Sequence, residues 1–160
     1  MKYNPDTTNS DFVKKAELAG LLHDCAKNMD NGKKLRLCNK YDIPYSDFEA
    51  ENTYLLHGKV GAFLAKSKFN IQDEDILNAI IWHTTGRPGM SILEKIIFIA
   101  DYIEPSRKPL PELDYIRKLA FEDLDMAMKA ILVNIIKYLQ LNNKPFDSMT
   151  QKTYDSYNKV

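Results

Sequence analysis

The sequence of 160 residues predicts an all-α protein of about six to eight helices. Apolar residues recur every three or four positions along most of the chain, and no segment shows sustained period-two alternation. Two capping-box patterns, at Ser46 and Ser91, mark helix starts. Hydrophobic residues make up 44% of the chain and charged residues 28%, which is the balance of an ordinary globular protein. We therefore expect one helical domain over residues 1–160.

Turn residues separate the predicted helices of the first half of the chain. Ser10 can cap a helix from Asp11 to about Lys27, which ends at a stretch rich in Asn and Gly. A short helix over Lys33–Tyr41 ends before a proline, which cannot continue a helix. The capping box at Ser46 starts another short helix, and His57–Phe69 reads as a longer one with its apolar residues on one side.

Similar signals divide the next part of the chain. Asp73 can cap a helix that ends at His83 and is followed by a loop containing Gly and Pro. The capping box at Ser91 opens a strongly apolar helix over Ile92–Ile103. These two helices therefore flank one short loop.

The last third of the chain begins with a proline-rich loop. Pro111 suits the first turn of a helix over Glu112–Ala120. The final helix, Leu124–Leu141, is apolar enough to be either a core helix or the seam of a homodimer. Residues 142–160 form a polar tail whose aromatic side chains can dock on the body of the protein.

Charge and composition exclude several classes of protein. Twenty-two basic residues balance twenty-two acidic ones, which argues against a nucleic-acid partner but leaves room for a small anionic ligand. The N-terminus carries no apolar signal segment, and the longest apolar run, Ile96–Ala100, has five residues, whereas a membrane span needs about 20. Two cysteines make no disulfide framework. We expect a cytoplasmic protein without a membrane or nucleic-acid partner.

Acidic and imidazole side chains interrupt apolar helical patterns at two places. Asp101 falls on one helical line with Leu93 and Ile97, and the pair His23-Asp24 follows an apolar stretch. A carboxylate is costly to bury without a partner. Asp101 therefore either reaches solvent or a cation, or binds a metal, and the pair is either a structural hydrogen-bonded couple or a pair of metal ligands.

The other two histidines, His57 and His83, fall at helix ends beside loops or small residues. Each alone is typical of a packing or surface histidine. Together with His23 and the carboxylates, they offer the donors that Fe, Mn or Zn ions accept. Their spacing is long-range, so periodicity by itself does not show that they converge.

A loop of sequence HTTGRPG follows the helix capped by Asp73. Its Thr84 hydroxyl, its Arg87 fork and its backbone amides are groups that bind phosphate, although a plain surface turn is the alternative. Lys27 and Arg107 are two further cations, each directly after a segment with candidate ligands. A solvated surface role is the alternative for both.

Three blocks of the sequence carry a family resemblance: AGLLHDCAK at 19–27, LLHGKVGAFLA at 55–65 and AIIWHTTGRPGMSILEKIIFIADYIEPSR at 79–107. They resemble the HD-domain phosphohydrolases, and within them the symmetrical diadenosine tetraphosphatases of the YqeK type. The resemblance covers about residues 16–141. It implies a helical HD bundle and a dinuclear divalent-metal centre, commonly of iron. By match, the metal ligands are His23, Asp24, His57, His83 and Asp101.

The resemblance also implies a further ligand histidine on a helix before the His-Asp pair. The sequence has no histidine before His23. We therefore expect the metal site formed by this chain to be incomplete, with its metal partial, single or absent.

The function that the resemblance implies is metal-dependent hydrolysis of diadenosine tetraphosphate to two ADP. Lys27, Thr84, Arg87 and Arg107 are the candidates for phosphate contact and charge stabilisation, with Arg87 and Lys27 preferred. Two alternatives remain. One is an HD phosphohydrolase for a nucleoside monophosphate or guanosine bis-pyrophosphate, and the other is a metal-poor HD domain that binds nucleotide without hydrolysing it.

Overall fold

The structure is a computed structural model that describes the backbone of residues 5–158 and the side chains of residues 10–158. Within that range every regular element is helical, as predicted, with nine α-helices and one 3₁₀ helix. In chain order these are α1 (Pro5–Leu22), α2 (Asn31–Lys40), α3 (Asp47–Glu51), the 3₁₀ helix (Thr53–Leu56), α4 (His57–Phe69), α5 (Glu74–Trp82), α6 (Ile92–Tyr102), α7 (Leu113–Glu122), α8 (Leu124–Leu141) and α9 (Ser148–Asn158).

Helix α1 differs from the prediction at both ends. It already includes Ser10, so this residue is no cap, and it ends at Leu22 instead of continuing to about Lys27. The His23 ring lies with Nδ1 2.7 Å from the Gly20 carbonyl, the acceptor that a continuing helix would offer to the backbone N–H of residue 24. Beyond this point the backbone N–H groups of residues 25, 27 and 29 each donate to the carbonyl three residues earlier, as in a 3₁₀ turn. The His-Asp pair therefore lies in a turn segment after the helix and not inside it.

The predicted helix starts at Ser46, Ser91 and Asp73 are confirmed. Both serines accept a hydrogen bond from the third residue of their helix, and the glutamate at that position accepts one from the serine N–H in return. Asp73 accepts from the backbone N–H groups of residues 75 and 76. The bounds predicted for α4 and α8 are those observed. Helix α5 ends at Trp82, one residue before the predicted end at His83.

Two elements in the last third of the chain also depart from expectation. Helix α7 begins at Leu113, because Glu112 adopts a left-handed conformation with φ of 57° and so cannot be helical. Part of the segment predicted as a polar tail folds as α9. This helix brings the count for the described part of the chain to nine, one above the predicted range.

The chain divides into two compact units, Met1–Ile81 and Trp82–Val160, which we call unit 1 and unit 2. The core of unit 1 contains Ala26, Cys38, Leu56 and Val60, contributed by the turn segment, α2, the 3₁₀ helix and α4. The core of unit 2 joins α6, α7 and α8, with aromatic side chains of α9 packed against it. Four of the five residues buried on α8, all except Ile136, belong to this core, as the core-helix alternative expects.

Among the described residues, no helix has the length and apolar character that crossing a bilayer requires.

Candidate metal centre

The Asp24 carboxylate of unit 1 lies between two imidazole rings. Its Oδ2 atom is 3.5 Å from His23 Nε2, and its Oδ1 atom is 3.5 Å from His57 Nε2. His23 and Asp24 come from the turn segment after α1, whereas His57 is the first residue of α4. The turn lets the two consecutive side chains His23 and Asp24 approach each other.

Backbone carbonyls determine which nitrogen of each ring faces the carboxylate. His23 Nδ1 lies 2.7 Å from the Gly20 carbonyl oxygen, and His57 Nδ1 lies 2.7 Å from the Tyr54 carbonyl oxygen. A carbonyl oxygen can only accept, so Nδ1 carries the proton and donates in both rings. In the neutral imidazole, Nε2 then presents its lone pair to Asp24.

These donors fit a divalent metal ion. The two Nε2 atoms each lie 3.5 Å from an oxygen atom of the same carboxylate in unit 1, and the lone pairs of neutral rings beside a carboxylate attract a cation. An Nδ1–H donated to a carbonyl is also the usual support of a metal-bound histidine, because it holds the ring in place and raises its basicity. Unit 1 thus contains a possible His/Asp metal site.

The position of His57 depends on the close packing of α4 against α5. A Cβ atom added at the buried Gly58 would lie 2.7 Å from the Ile81 carbonyl oxygen and 3.0 Å from that of Ile80. Glycine is therefore required here for the helices to approach. One residue further, Lys59 Nζ donates to Glu49 Oε2 at 2.7 Å and ties α4 to the capping box of α3.

Lys27 lies beside the metal candidates, as its place in the sequence suggested. Its Nζ atom donates to Asp24 Oδ2 at 2.6 Å. The side chain is about half exposed, so the ammonium group can also reach a ligand from solvent. This places a cation next to the carboxylate of the His/Asp cluster.

Unit 2 carries the remaining predicted site residues. His83 is 3% exposed and follows directly after α5, with Thr84 half-buried beside it. Asp101 lies in the last turn of α6. Arg107 Nη2 donates to the Asp101 carbonyl oxygen and lies 3.5 Å from Asp101 Oδ1. Asp101 and Arg107 are thus brought together.

Arg87, in contrast, is held by a residue that sequence reasoning did not include in the site. Its Nε and Nη2 atoms donate to the two carboxylate oxygens of Glu94, at 2.7 and 3.2 Å. Glu94 is only 1% exposed and also accepts from the Ser91 N–H. The guanidinium further lies over the Trp82 ring, 5.7 Å from its centroid. Through these contacts Arg87 has a structural role, because it fastens the loop to α6.

A family model identifies the type of domain that carries these residues. The model for the HD domain matches residues 1–106, which include the His23-Asp24 pair, both other histidines and Asp101. The chain belongs to the HD-domain family. The match begins in unit 1 and extends into unit 2.

Relatives of this HD domain match it over most of its length. A protein of Bacillus subtilis named bis(5'-nucleosyl)-tetraphosphatase, symmetrical, is 42% identical over 142 residues, which are 89% of this chain and 75% of the relative. A protein of the same name from Halalkalibacterium halodurans is 43% identical over 88% of this chain and 74% of its own length. Among solved structures, a protein of Clostridium acetobutylicum described as a predicted HD superfamily hydrolase involved in NAD metabolism is 44% identical with a TM-score of 0.86. The match covers 90% of this chain and 76% of the other.

Proposed function

We propose that this HD domain hydrolyses diadenosine tetraphosphate symmetrically in a metal-dependent reaction. The observation that carries the proposal is the Asp24 carboxylate between two Nε2 lone pairs, in a chain 42–43% identical to two proteins named symmetrical bis(5'-nucleosyl)-tetraphosphatase. A cluster of this composition binds a divalent metal, and phosphate ester hydrolysis is a reaction that such metals promote.

The reaction adds one water molecule across the central bridge of the tetraphosphate. The water oxygen bonds to one of the two inner phosphorus atoms, and the bond from that phosphorus to the central bridging oxygen breaks. The bridging oxygen leaves on the other half of the molecule, and the protons of the water are shared by the two products and the solvent. Both products are therefore ADP.

We propose that His23, Asp24, His57, His83 and Asp101 are the ligands that this chain offers to the dinuclear iron centre expected for this family, in which the further histidine implied by the resemblance is missing before His23. When bound, such a centre activates water at neutral pH and neutralises phosphate charge. The contribution of this chain is to hold its imidazoles with Nε2 toward Asp24, through the backbone carbonyls that accept from Nδ1.

Two of the four candidate cation and hydroxyl groups have contacts that support a role near the phosphates. Lys27 donates to Asp24, and Arg107 pairs with Asp101, so each lies beside a proposed ligand and can offset the charge of a bound polyphosphate. We propose Thr84 as a hydroxyl donor from the loop after His83. Arg87 contributes through the loop it holds, because Glu94 occupies two of its nitrogen atoms.

The proposed substrate is a soluble nucleotide, so we place the activity in the cytoplasm, with a homodimer as the proposed assembly. Balanced charge, with 22 basic and 22 acidic residues, fits a small-molecule partner better than nucleic acid.

Product analysis tests the proposal directly. The purified chain is incubated anaerobically with diadenosine tetraphosphate and Fe²⁺ or Mn²⁺, and the products are separated by anion exchange. We expect two ADP per substrate, with oxygen from labelled water in one of them, and no turnover by His57→Gln. ATP plus AMP, or turnover only on nucleoside monophosphates or guanosine bis-pyrophosphate, contradicts the proposal. Nucleotide binding without any product supports the alternative of a metal-poor binding domain.

A further inference from the structure

We propose that helix α9 braces the segment His83–Arg87, with Thr153 as a positioning residue for it. The structural part of this proposal stands on contacts within unit 2, and its kinetic part rests on the proposed function. The consequence is that a helix remote in sequence from the HD motifs controls the placement of His83 and Thr84.

The contact at the centre of the brace joins Gly86 to Thr153. Gly86 has φ of 65°, a conformation that favours glycine, and a Cβ atom built there would lie 2.7 Å from Thr153 Cγ2 and 3.4 Å from Thr153 Oγ1. The nearest other atom is Met90 Sδ at 3.3 Å, the end of a flexible side chain. The loop backbone at Gly86 therefore packs directly against α9.

Thr153 cannot easily move away from this position. Its side chain is fully buried, and its Oγ1 donates to the Met149 carbonyl oxygen one helical turn earlier, at 2.7 Å. Helix α9 is itself fastened to unit 2, because Tyr154 and Tyr157 pack against the core that includes Met90. A β-branched side chain with its hydroxyl engaged has few rotamers available.

The loop is also held from its other side. The Gly86 N–H donates to the Trp82 carbonyl oxygen at 2.9 Å, and Arg87 forms its two hydrogen bonds with buried Glu94. With α6 fastening Arg87 and α9 supporting Gly86, the three residues between Trp82 and Gly86 are held at both of their ends. A shift at Gly86 must therefore be taken up by these three residues, which include His83 and Thr84.

The experiment compares four variants of the full chain: Gly86→Ala, Gly89→Ala, Thr153→Ser and the double variant Gly86→Ala/Thr153→Ser. Gly89 is the matched control, since it has φ of 72° in the same loop but its Cβ would meet nothing within 4 Å. The Gly89→Ala variant therefore measures the loss that an alanine at positive φ causes without a steric contact. Thr153→Ser removes the obstructing methyl group and keeps the hydroxyl that binds Met149.

For Gly86→Ala we expect kcat with diadenosine tetraphosphate to fall by about tenfold or more, because small misplacements of catalytic groups are costly, with a smaller change in KM. The loss of kcat is smaller in Gly89→Ala. In the double variant Gly86→Ala/Thr153→Ser, kcat recovers to about the level of Gly89→Ala. The assays are run below the unfolding temperature of every variant. Equal losses in the two alanine variants, or no rescue by Thr153→Ser, overturn the brace.

The wild-type chain separates this proposal from the proposed function. If it does not hydrolyse the dinucleotide with any metal, the proposed function fails, and urea unfolding of the wild type, both single variants and the double variant decides on the brace. The brace is supported if the double variant loses less free energy of unfolding than the sum of the losses of Gly86→Ala and Thr153→Ser. Additive losses overturn the brace.

Discussion

His57 Nε2 lies 3.5 Å from Asp24 Oδ1. The distance is longer than a direct hydrogen bond between the two groups, and the ring donates its Nδ1 proton elsewhere, to the Tyr54 carbonyl. A lone pair and an anionic oxygen that face each other in this way have a common preference for a cation. Asp24 is the member of the cluster that supplies the negative charge, so its removal is the sharpest test of the site.

Asp24→Asn should therefore abolish metal-dependent stabilisation of the chain. A metal that binds the folded chain raises its unfolding temperature, and loss of a direct ligand should weaken the affinity for Mn²⁺ by about 100-fold or more, since even supporting residues are worth about 10–100-fold. The measurement is a thermal melt with increasing Mn²⁺. Asp11→Asn, at a largely exposed carboxylate of α1, is the matched control. Equal metal-induced shifts in both variants would show that Asp24 is not a ligand.

Gly58→Ala should destabilise unit 1, although alanine is the better helix former. The added Cβ meets two backbone carbonyl oxygens at 2.7 and 3.0 Å, and backbone cannot rotate away, so we expect a loss of about 2 kcal/mol from overpacking. Gly61→Ala is the control in the same helix, because its Cβ makes contacts of 3.4 Å or longer. Urea unfolding should show Gly61→Ala to be neutral or stabilising by up to about 1 kcal/mol. A Gly58→Ala variant as stable as Gly61→Ala would mean that α4 can move away from α5.

The helices were predictable where their start and stop signals are local. The bounds of α4 and α8 follow from apolar periodicity and from flanking turn residues. The end of α1 was not predictable in this way, because it coincides with a contact of the His23 side chain to the Gly20 carbonyl, and no Gly or Pro at position 23 or 24 announces it. The sequence predicts a polar tail in place of helix α9, because the contacts that hold this helix, at Thr153 and Tyr157, are tertiary.

In the candidate site too, some residues could be predicted from the sequence and others only from tertiary contacts. The family resemblance predicts His23, Asp24 and His57 as ligands, and the structure places their side chains together in unit 1. The role of Glu94 as the partner of Arg87 could not be predicted from the sequence, because its place in a capping box already accounts for a glutamate at that position. Only the fold shows that the same carboxylate also binds Arg87.

Arg87→Met should lower the stability of unit 2 by about 2 kcal/mol. It leaves the carboxylate of Glu94, which is 1% exposed, without its charged partner, and uncompensated buried charges are costly. Glu94→Gln should cost less, because glutamine also serves in a capping box and Arg87, about one third exposed, can turn to solvent. Urea unfolding of both single variants and the double variant should show less than additive losses. Unchanged stability in Arg87→Met together with a raised KM would instead assign the guanidinium to phosphate contact.

Tyr157 should make the stability of unit 2 sensitive to alkaline pH. Burial, with the negative charges of Asp125 and Glu94, raises the pKa of Tyr157 to about 12 from an ordinary value of 10.0. The folded chain therefore keeps the phenol proton at a pH where the unfolded chain has lost it. The stabilisation is complete below pH 10 and is lost progressively as the pH rises from 10 to 12.

Tyr157→Phe should remove this contribution. Urea unfolding at a series of pH values should show that the variant loses less stability than the wild type between pH 10 and 12, whatever their difference at neutral pH. Tyr115→Phe, which removes an exposed phenol of α7, is the control and should follow the wild-type curve. Parallel curves for the wild type and Tyr157→Phe would show that the phenol ionises equally well in the folded chain, and hence that α9 does not keep its aromatic face buried against the core.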